Sequence, residues 1–347
     1  MTPSGVPEAQ HTLITGGAGF IGSHLTERLL GQGERVVVID DFSTGSRDNL
    51  ASVADDSNLT VIEDTVTGCK PLGSLVADSS YVFHLAAAVG VDLVVQSPIR
   101  TIETNLKATE AILEAAAPNR TPMLLPSSSE VYGKSSREGF AETDDLLIGP
   151  PTLGRWSYAC SKLMDEFLAL AFHAERQLPV IVARIFNTVG PRQTGRYGMV
   201  LPRFVEAAKA GEPLRVFGNG QQSRCFGHVT DTVEALLRLA MCDRAPGGVF
   251  NIGSTEEVTI LGLAKRVIEL TGSTSEIELV PYDEAYDNGF EDMQRRQPVI
   301  DKLEQFTALC GRGDGVKNSA FGDSRLYALC NQIVAVDGNG NARIFRS

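Results

Sequence analysis

Three evenly spaced glycines follow a short run of β-branched and apolar residues near the start of the chain. The run is HTLIT, and Gly16, Gly19 and Gly22 lie in TGGAGFIG, which opens a helical segment. Glycine suits a tight strand-to-helix turn whose backbone approaches a pyrophosphate closely and whose helix packs hard against the strand. The pyrophosphate would meet unpaired N–H groups at the positive end of the helix dipole. The motif therefore predicts a dinucleotide-binding βα unit that also involves Phe20 and Ile21.

The alternation of strand-like and helical segments extends this unit into a sheet. Short β-branched runs (RVVVID, LTVIED, YVFHLAA, PMLLPSS and PVIVARIFN) alternate with helical patterns such as SHLTERLLGQ and NLKATEAILEAA. This alternation is typical of an α/β fold of Rossmann type, with a doubly wound parallel sheet. We expect residues 1–187 to form the dinucleotide-binding domain and residues 188–347 to be mainly a smaller substrate-binding region. The tail after about residue 305 has no clear period, and no element is predicted for it.

Charge and composition exclude several classes of partner. The chain has 31 basic and 43 acidic side chains, for a net charge of -12, which opposes docking on nucleic acid or on an anionic membrane. It shows neither a leader pattern nor an apolar run long enough to span a membrane, so a cytoplasmic protein is expected. The six cysteines form no C-x-x-C pair and the five histidines show no ligand spacing. Neither a disulfide nor a metal site is predicted.

Two acidic residues at the end of the second predicted strand indicate which dinucleotide binds. Asp40 and Asp41 stand at about the spacing from the glycines at which a carboxylate accepts hydrogen bonds from an adenosine ribose. Asp40 would repel a 2′-phosphate and so favours NAD, while Arg47 nearby keeps NADP as an alternative. Asp41 also suits a turn or cap position.

A tyrosine and a lysine supply the predicted catalytic chemistry. Tyr158 and Lys162 are four residues apart in the helical segment SYACSKLMDEFLALAF and therefore share a helix face. A nearby ammonium lowers the pKa of a phenol from about 10, which makes the phenolate usable as a base. Ser128 follows the strand PMLLPSS, at the sheet edge where ligands bind, and its hydroxyl is expected to bridge the substrate and the tyrosine. Ser127 and Ser129 also suit capping of the next turn.

The segments TGGAGFIG, HLAA, SSSEVYG, YACSK and RIFNTVGPR, in this order, resemble the extended short-chain dehydrogenase/reductase family. The resemblance runs from about residue 11 to about residue 303 and is specific to nucleotide-sugar epimerases, dehydratases and decarboxylases. It implies a domain that holds NAD, a C-terminal domain that grips the nucleotide of a UDP-sugar, and a homodimer formed through the helices around 104–117 and 158–175. It also implies that Ser128, Tyr158 and Lys162 are catalytic.

The resemblance implies further contacts. Besides the glycine motif, Asp40, Asp41, Tyr158 and Lys162, the positions expected to contact NAD are Ser43, Gly45, Asp64, Thr65, Leu85, Ala86, Ala87 and Asn105. Those expected to contact the substrate are Ser128, Ser129, Asn187, Arg196, Val200, Arg224 and Asp292. The segment KSSREGFAETDDLLIGPPTLGRW before Tyr158 is longer than is common, and we expect it to cover the active site as a flap.

The reactions of this family share a first step and differ afterwards. The resemblance implies that the base removes a proton from the sugar's 4-hydroxyl while hydride passes from C4 to NAD, which gives a 4-keto sugar. Glu130, just before V-Y-G, favours a dehydratase or a decarboxylase and is, with Ser129, a possible catalytic residue. Against these, Ser129 stands where a dehydratase would have Asp. The segment GMVLPRF resembles the epimerase form and lacks the arginine that decarboxylases tend to carry near position 199. The expectation is therefore a 4-epimerase.

Two loop arginines in GPRQTGRYG, Arg192 and Arg196, indicate the substrate. A guanidinium there would hold a C5 carboxylate bidentately, and Arg196 is favoured because it lies further from the G-P-R turn. We expect conversion of UDP-glucuronate to UDP-galacturonate. The alternatives are a UDP-glucose 4-epimerase, a UDP-glucuronate decarboxylase and a nucleotide-sugar 4,6-dehydratase. A non-catalytic NAD-sensing protein is a remote alternative, because the serine, tyrosine and lysine all remain.

Overall fold

The computed structural model describes residues 10–88, 97–195, 199–281, 284 and 293–310. Its main sheet contains the strands β1 (His11–Thr15), β2 (Val36–Asp40), β3 (Leu59–Glu63), β4 (Ser79–His84), β5 (Met123–Ser128), β6 (Val180–Ile185) and β11 (Val249–Ile252). Their order is β11-β6-β5-β4-β1-β2-β3, and neighbouring strands pair in parallel. The predicted doubly wound sheet is confirmed. The chain proceeds outward in opposite directions from β1 and β4, so a crevice forms at their carboxyl ends.

Most of the described helices cover the two faces of this sheet, and two of them belong to a smaller lobe. The helices are α1 (Phe20–Leu30), α2 (Leu72–Ala77), α3 (Pro98–Ala116), α4 (Trp156–Arg176), α5 (Val200–Ala210), α6 (Val229–Ala240), α7 (Ile260–Thr271) and α8 (Asp301–Cys310). Side chains alternate between the faces along each strand. Leu13 therefore packs in the apolar core that contains Ile112 of α3, whereas Ile14 packs in the core that contains Leu25 of α1.

The second half of the chain contributes to two regions. A small lobe is built from α5, α7 and the short strands β7 (Thr188–Val189), β8 (Leu214–Phe217), β9 (Ser223–Cys225), β10 (Gly227–His228), β12 (Glu257–Thr259) and β13 (Ile277–Val280). The edge strand β11, by contrast, belongs to the main sheet, and α6 packs against α1. A boundary at residue 187 therefore does not separate the two regions, because the chain returns to the sheet after forming part of the lobe.

Cys242, which follows α6, is disulfide-bonded. The expectation of no disulfide is therefore wrong, since folding joins cysteines whose sequence spacing gives no sign of pairing. Cys69, Cys160 and Cys225 are free thiols. Within the described ranges, no helix is long and apolar enough to cross a membrane, and no group of His, Cys, Asp and Glu side chains is arranged to hold a metal ion.

Candidate active site

A cavity of about 890 Å³ lies at the carboxyl ends of the sheet strands. Its walls come from the glycine turn before α1, the ends of β4, β5 and β6, the start of α4, and the lobe that contains α5. The cavity therefore occupies the crevice where the strand order reverses, which is where open α/β sheets bind ligands.

The glycine turn forms one end of this cavity and leaves no room for side chains. A Cβ atom on Gly16, whose φ is +71°, would lie 2.7 Å from the Ala86 nitrogen, and one on Gly22 would lie 2.1 Å from the Gly16 oxygen. Gly19, Phe20 and Ile21 line the cavity at the N-terminus of α1. This bare backbone at the positive end of a helix fits the pyrophosphate of a dinucleotide.

Asp40 stabilises the glycine turn by accepting hydrogen bonds from the backbone. Its Oδ2 accepts a hydrogen bond from the Ala18 nitrogen at 2.8 Å, and its Oδ1 accepts one from the Phe42 nitrogen at 2.9 Å. Burial raises the pKa of this carboxyl group, although both backbone donors oppose that shift. Asp41 is exposed and accepts from the Ser43 nitrogen at 3.0 Å, as in a turn. Arg47 is the residue because of which NADP was kept as an alternative cofactor. Its guanidinium group stacks over Phe42 and pairs with Glu63.

The other predicted cofactor contacts divide into two groups. Leu85, Ala87, Tyr158 and Lys162 line the cavity, while the predicted positions that do not line it are Asp40, Asp41, Ser43, Gly45, Asp64, Thr65, Ala86 and Asn105. Asn105 instead ties α3 to its surroundings, because its Oδ1 accepts from the Ala88 nitrogen and its Nδ2 donates to Ser161 Oγ. Sequence reasoning missed Thr44 and Asn49, which line the cavity close to the glycine turn.

Tyr158, Ser128 and Lys162 come together on the wall of the cavity. The Tyr158 phenol and the Ser128 hydroxyl share a hydrogen bond. Lys162 Nζ donates to Asp165 Oδ2 at 2.9 Å. Burial, together with the charge of Glu130, raises the pKa of Tyr158 well above its ordinary value. The sequence predicts that Lys162 lowers the pKa of Tyr158. Burial and the carboxylates of Glu130 and Asp165 raise it instead, and the i, i+4 spacing does not reveal these influences.

Glu130 lies beside Tyr158 between two arginines. Arg296 Nη2 donates to its Oε1 at 2.6 Å, and Arg155 Nη2 lies 3.5 Å from its Oε2. Burial would raise the pKa of this carboxyl group, but Arg296, Arg155 and Arg224 outweigh burial and lower the pKa to about 2. Glu130 is therefore an anion at any ordinary working pH.

Sequence reasoning did not identify Arg155 and Arg296 as members of the site. Arg155 stands three residues before Tyr158, and that proximity was the available signal. Arg296 is 166 residues from Glu130 along the chain, so no local pattern could connect them.

Five of the seven predicted substrate contacts lie in the wall of the cavity. The cavity is lined by Ser128, Ser129, Asn187, Val200 and Arg224. Asn187 Nδ2 is buried without a hydrogen-bond partner, which leaves a donor available to a ligand. Arg196 and Asp292 lie outside the described residues.

Arg192 also lines the cavity. Its Nη2 pairs with Glu27 Oε1 on α1 at 2.5 Å. Its backbone adopts a φ of +70°, which is unusual for a residue other than glycine. Arg192 therefore ties the G-P-R loop to the helix that follows the glycine turn.

Most of the long segment before Tyr158, residues 134–156, lies away from the cavity. Arg155, near its end, is the only residue of this segment that lines the cavity, so residues 134–154 do not cover it as a flap. Phe140 instead pairs with the C-terminal segment: its nitrogen donates to the Gln297 oxygen, and its oxygen accepts from the Val299 nitrogen, both at 2.9 Å. Gln297 directly follows Arg296 in the chain. The contacts of Phe140 with Gln297 and Val299 therefore anchor the backbone beside that arginine.

Comparisons with known proteins agree with this geometry. The model of the NAD dependent epimerase/dehydratase family matches residues 12–253. A UDP-N-acetyl-alpha-D-glucosaminuronate decarboxylase from Bacillus cytotoxicus is 41% identical over 294 residues, covering 84% of this chain and 90% of that protein. UDP-glucuronic acid decarboxylase 4 from Arabidopsis thaliana is 36% identical, covering 84% of this chain and 63% of that protein.

A solved structure extends the likeness to the fold. The UDP-glucuronic acid 4-epimerase from Bacillus cereus, in complex with UDP-glucuronic acid and NAD, superposes with a TM-score of 0.79 at 26% identity. The alignment covers 93% of this chain and 98% of that one.

Proposed function

The chain belongs to the NAD dependent epimerase/dehydratase family, and from this premise we propose that it is a decarboxylase of a UDP-linked uronic acid. It is an enzyme of that family and its cofactor is NAD. The similar proteins named above include two decarboxylases of UDP-linked uronic acids. They support the decarboxylase, an alternative in the sequence analysis, better than the 4-epimerase that we expected.

The observation that carries this proposal is the charge of the cavity beside Tyr158. Three buried arginines line it, Arg155, Arg224 and Arg296, with Glu130 as the carboxylate they face. Guanidinium groups bind carboxylates and diphosphates through paired hydrogen bonds. This wall of the cavity therefore fits a substrate that has a carboxylate in addition to its diphosphate.

The residues of the site suit oxidation at C4 followed by loss of CO₂. Tyr158 accepts the proton of the C4 hydroxyl, and Ser128 hydrogen-bonds the phenol and orients it. The glycine turn at the N-terminus of α1 would hold the pyrophosphate of NAD, which would supply an acceptor for the C4 hydride and the source of its later return. The resulting 4-keto uronic acid is a β-keto acid, so the electrons of the breaking C5–C6 bond move into the C4 carbonyl as CO₂ leaves. C5 of the enolate then takes a proton from water, and Tyr158 gives its proton back to the C4 oxygen when hydride returns to C4. Glu130 is ionised and therefore serves as an electrostatic partner of the arginines, not as a proton donor.

A uronate 4-epimerase is the second candidate. The superposition on the Bacillus cereus enzyme favours it, as does the GMVLPRF segment noted above. Both candidates form the same 4-keto intermediate. They differ in whether the site releases CO₂ before hydride returns.

Product analysis by NMR separates the two candidates. The purified protein is incubated with UDP-glucuronate and, separately, with UDP-N-acetylglucosaminuronate. We expect a UDP-pentose or its 2-acetamido counterpart, with release of CO₂ and no net accumulation of NADH. A product that keeps the carboxylate and has an inverted C4 would establish the epimerase, and steady NADH formation would refute both reactions. The Tyr158→Phe variant is the control for contaminating activity.

We also propose that the protein is a homodimer paired through α3 and α4. These helices pack against each other and carry several large apolar side chains that are exposed in the single chain. Ile99 and Phe167 are 75% and 64% exposed, with Ile102 and Met164 a turn away from them. Burying these side chains against the same helices of a second copy would remove the largest apolar groups on this surface from water.

A further inference from the structure

The lysine of the site forms an ion pair that the reaction described above does not use. Lys162 and Asp165 lie on the same face of α4, and their charged atoms are 2.9 Å apart. The side chains are only 5% and 0% exposed to solvent. An aspartate with no access to water thus holds the ammonium that lies nearest in sequence to Tyr158.

Stability alone does not account for this aspartate. Taking a carboxylate and an ammonium out of water costs several kcal/mol per ion, and well-packed apolar residues often replace a buried ion pair without loss. Asp165 Oδ1 has no hydrogen bond of normal geometry, and neither has Thr109 Oγ1, the hydroxyl that also acts on this carboxylate, so the carboxylate is only partly satisfied. A group that is costly to bury and only partly compensated suggests a function.

Asp165 and Glu130 both act on Tyr158. Burial is the largest influence on the pKa of the phenol and raises it, and the charges of Glu130 and Asp165 raise it further. The hydrogen bond from Ser128 and the charge of Arg296 lower it. Two carboxylates thus oppose the ionisation of Tyr158.

The other ionisable groups near the pair are either engaged or neutral. Glu166, next to Asp165 on α4, forms a bidentate ion pair with Arg184 of β6. His84 at the end of β4 is fully buried, and burial followed by the charge of Lys162 lowers its pKa to about 3, so it is neutral at working pH. Lys162 is the cation that opposes the effect of burial on the pKa of Asp165.

We propose that Asp165 is a positioning residue: its carboxylate fixes the Lys162 ammonium on the cavity wall that also carries Tyr158, and it offsets part of the ammonium's charge there. The inference rests on the proposed role of Tyr158 as the base. It does not depend on which sugar is the substrate, nor on whether the product is decarboxylated or epimerised.

The experiment titrates Tyr158 directly in the NAD-bound enzyme. Tyrosine is labelled with ¹³C at Cζ, and the Tyr158→Phe variant assigns the Tyr158 signal. Asp165→Asn keeps an acceptor for the ammonium but removes the negative charge. We expect it to lower the titration midpoint of Tyr158 by about one pH unit or more, the scale of a nearby charge. Glu175→Gln, the same neutralisation on the exposed end of α4, is expected to leave the midpoint unchanged.

A second comparison shows whether Asp165 acts through the lysine. In a Lys162→Met background, Asp165 loses its cation and is expected to take up a proton, since burial raises its pKa. Adding Asp165→Asn to that background should then leave the Tyr158 midpoint where it was. An unchanged or raised midpoint in Asp165→Asn alone would overturn the proposal and leave Asp165 as a structural group. If Asp165→Asn does not fold, Asp165→Thr is titrated instead, with the same expected direction.

The two proposals are tested separately, because this titration involves no substrate. A lowered midpoint together with the wrong sugar product would refute the proposed reaction and keep the role of Asp165. The expected product together with an unchanged midpoint would keep the proposed reaction and refute the role of Asp165.

Discussion

Two adjacent arginines offer a matched test of the carboxylate site. Arg296 is buried, lines the cavity and bonds Glu130 at 2.6 Å. Arg295 points away from the cavity and pairs with Glu257 at the surface of the lobe. Replacing each with glutamine removes one guanidinium group and one ion pair at neighbouring positions, so that only the location of the lost charge differs.

The expected cost of Arg296→Gln follows from its burial. Truncating one partner of a buried, hydrogen-bonded charge pair costs about 2–5 kcal/mol. Arg155, 3.5 Å from Glu130, remains to compensate, so we take about 2–4 kcal/mol in kcat/KM for a UDP-linked uronate. At about 1.36 kcal/mol per decade, this is a loss of roughly 30-fold to roughly 900-fold. Arg295→Gln is expected to change kcat/KM by less than about two-fold, since both side chains of this pair are partly exposed and screened by solvent.

The assay measures kcat/KM for the uronate that NMR identifies, and the Kd of UDP by calorimetry for each variant. UDP has no carboxylate, so its affinity should be nearly the same in wild type and both variants. Equal losses of kcat/KM in the two variants would refute the reasoning. So would a loss of UDP affinity in Arg296→Gln that matched its loss of kcat/KM, because that arginine would then serve the diphosphate or the fold.

Three further outcomes are expected. Tyr158→Phe should leave NAD and UDP binding nearly intact in calorimetry and lower turnover by roughly 100-fold or more, as for a lost general base; near wild-type turnover would remove it from that role. The folded pKa of Glu130, about 2, lies below its ordinary 4.5, so its contribution to stability is present above pH 4.5 and is lost as pH falls toward 2. Chemical denaturation should therefore show wild type losing roughly 2 kcal/mol more than Glu130→Gln between pH 7 and pH 3, and equal losses would contradict the buried ion pair. Phe167→Asp should convert a dimer to a monomer in light scattering while Leu279→Asp, an exposed apolar site elsewhere, should not; the same mass for both variants would exclude pairing through α4.

The amino-acid sequence determined the parts of this protein that depend on local geometry. The glycine turn, the β-strand periods and the four-residue spacing of Tyr158 and Lys162 each express a backbone regularity that spans a few residues. The predicted run HTLIT is strand β1 residue for residue. NAD as cofactor followed from the same local signals and is confirmed.

Only the tertiary structure decided the electrostatics of the site. The pairing of Arg296 with Glu130 depends on how the C-terminal segment is held by Phe140, and no periodic pattern encodes contacts across such a distance. The contact of Lys162 with Asp165 was within reach of i, i+3 spacing, but its burial was not. Charges acquire their energetic weight from the water that the fold excludes around them. For that reason the sequence identified the tyrosine and the lysine, whereas the fold decides the direction in which the pKa of the phenol shifts.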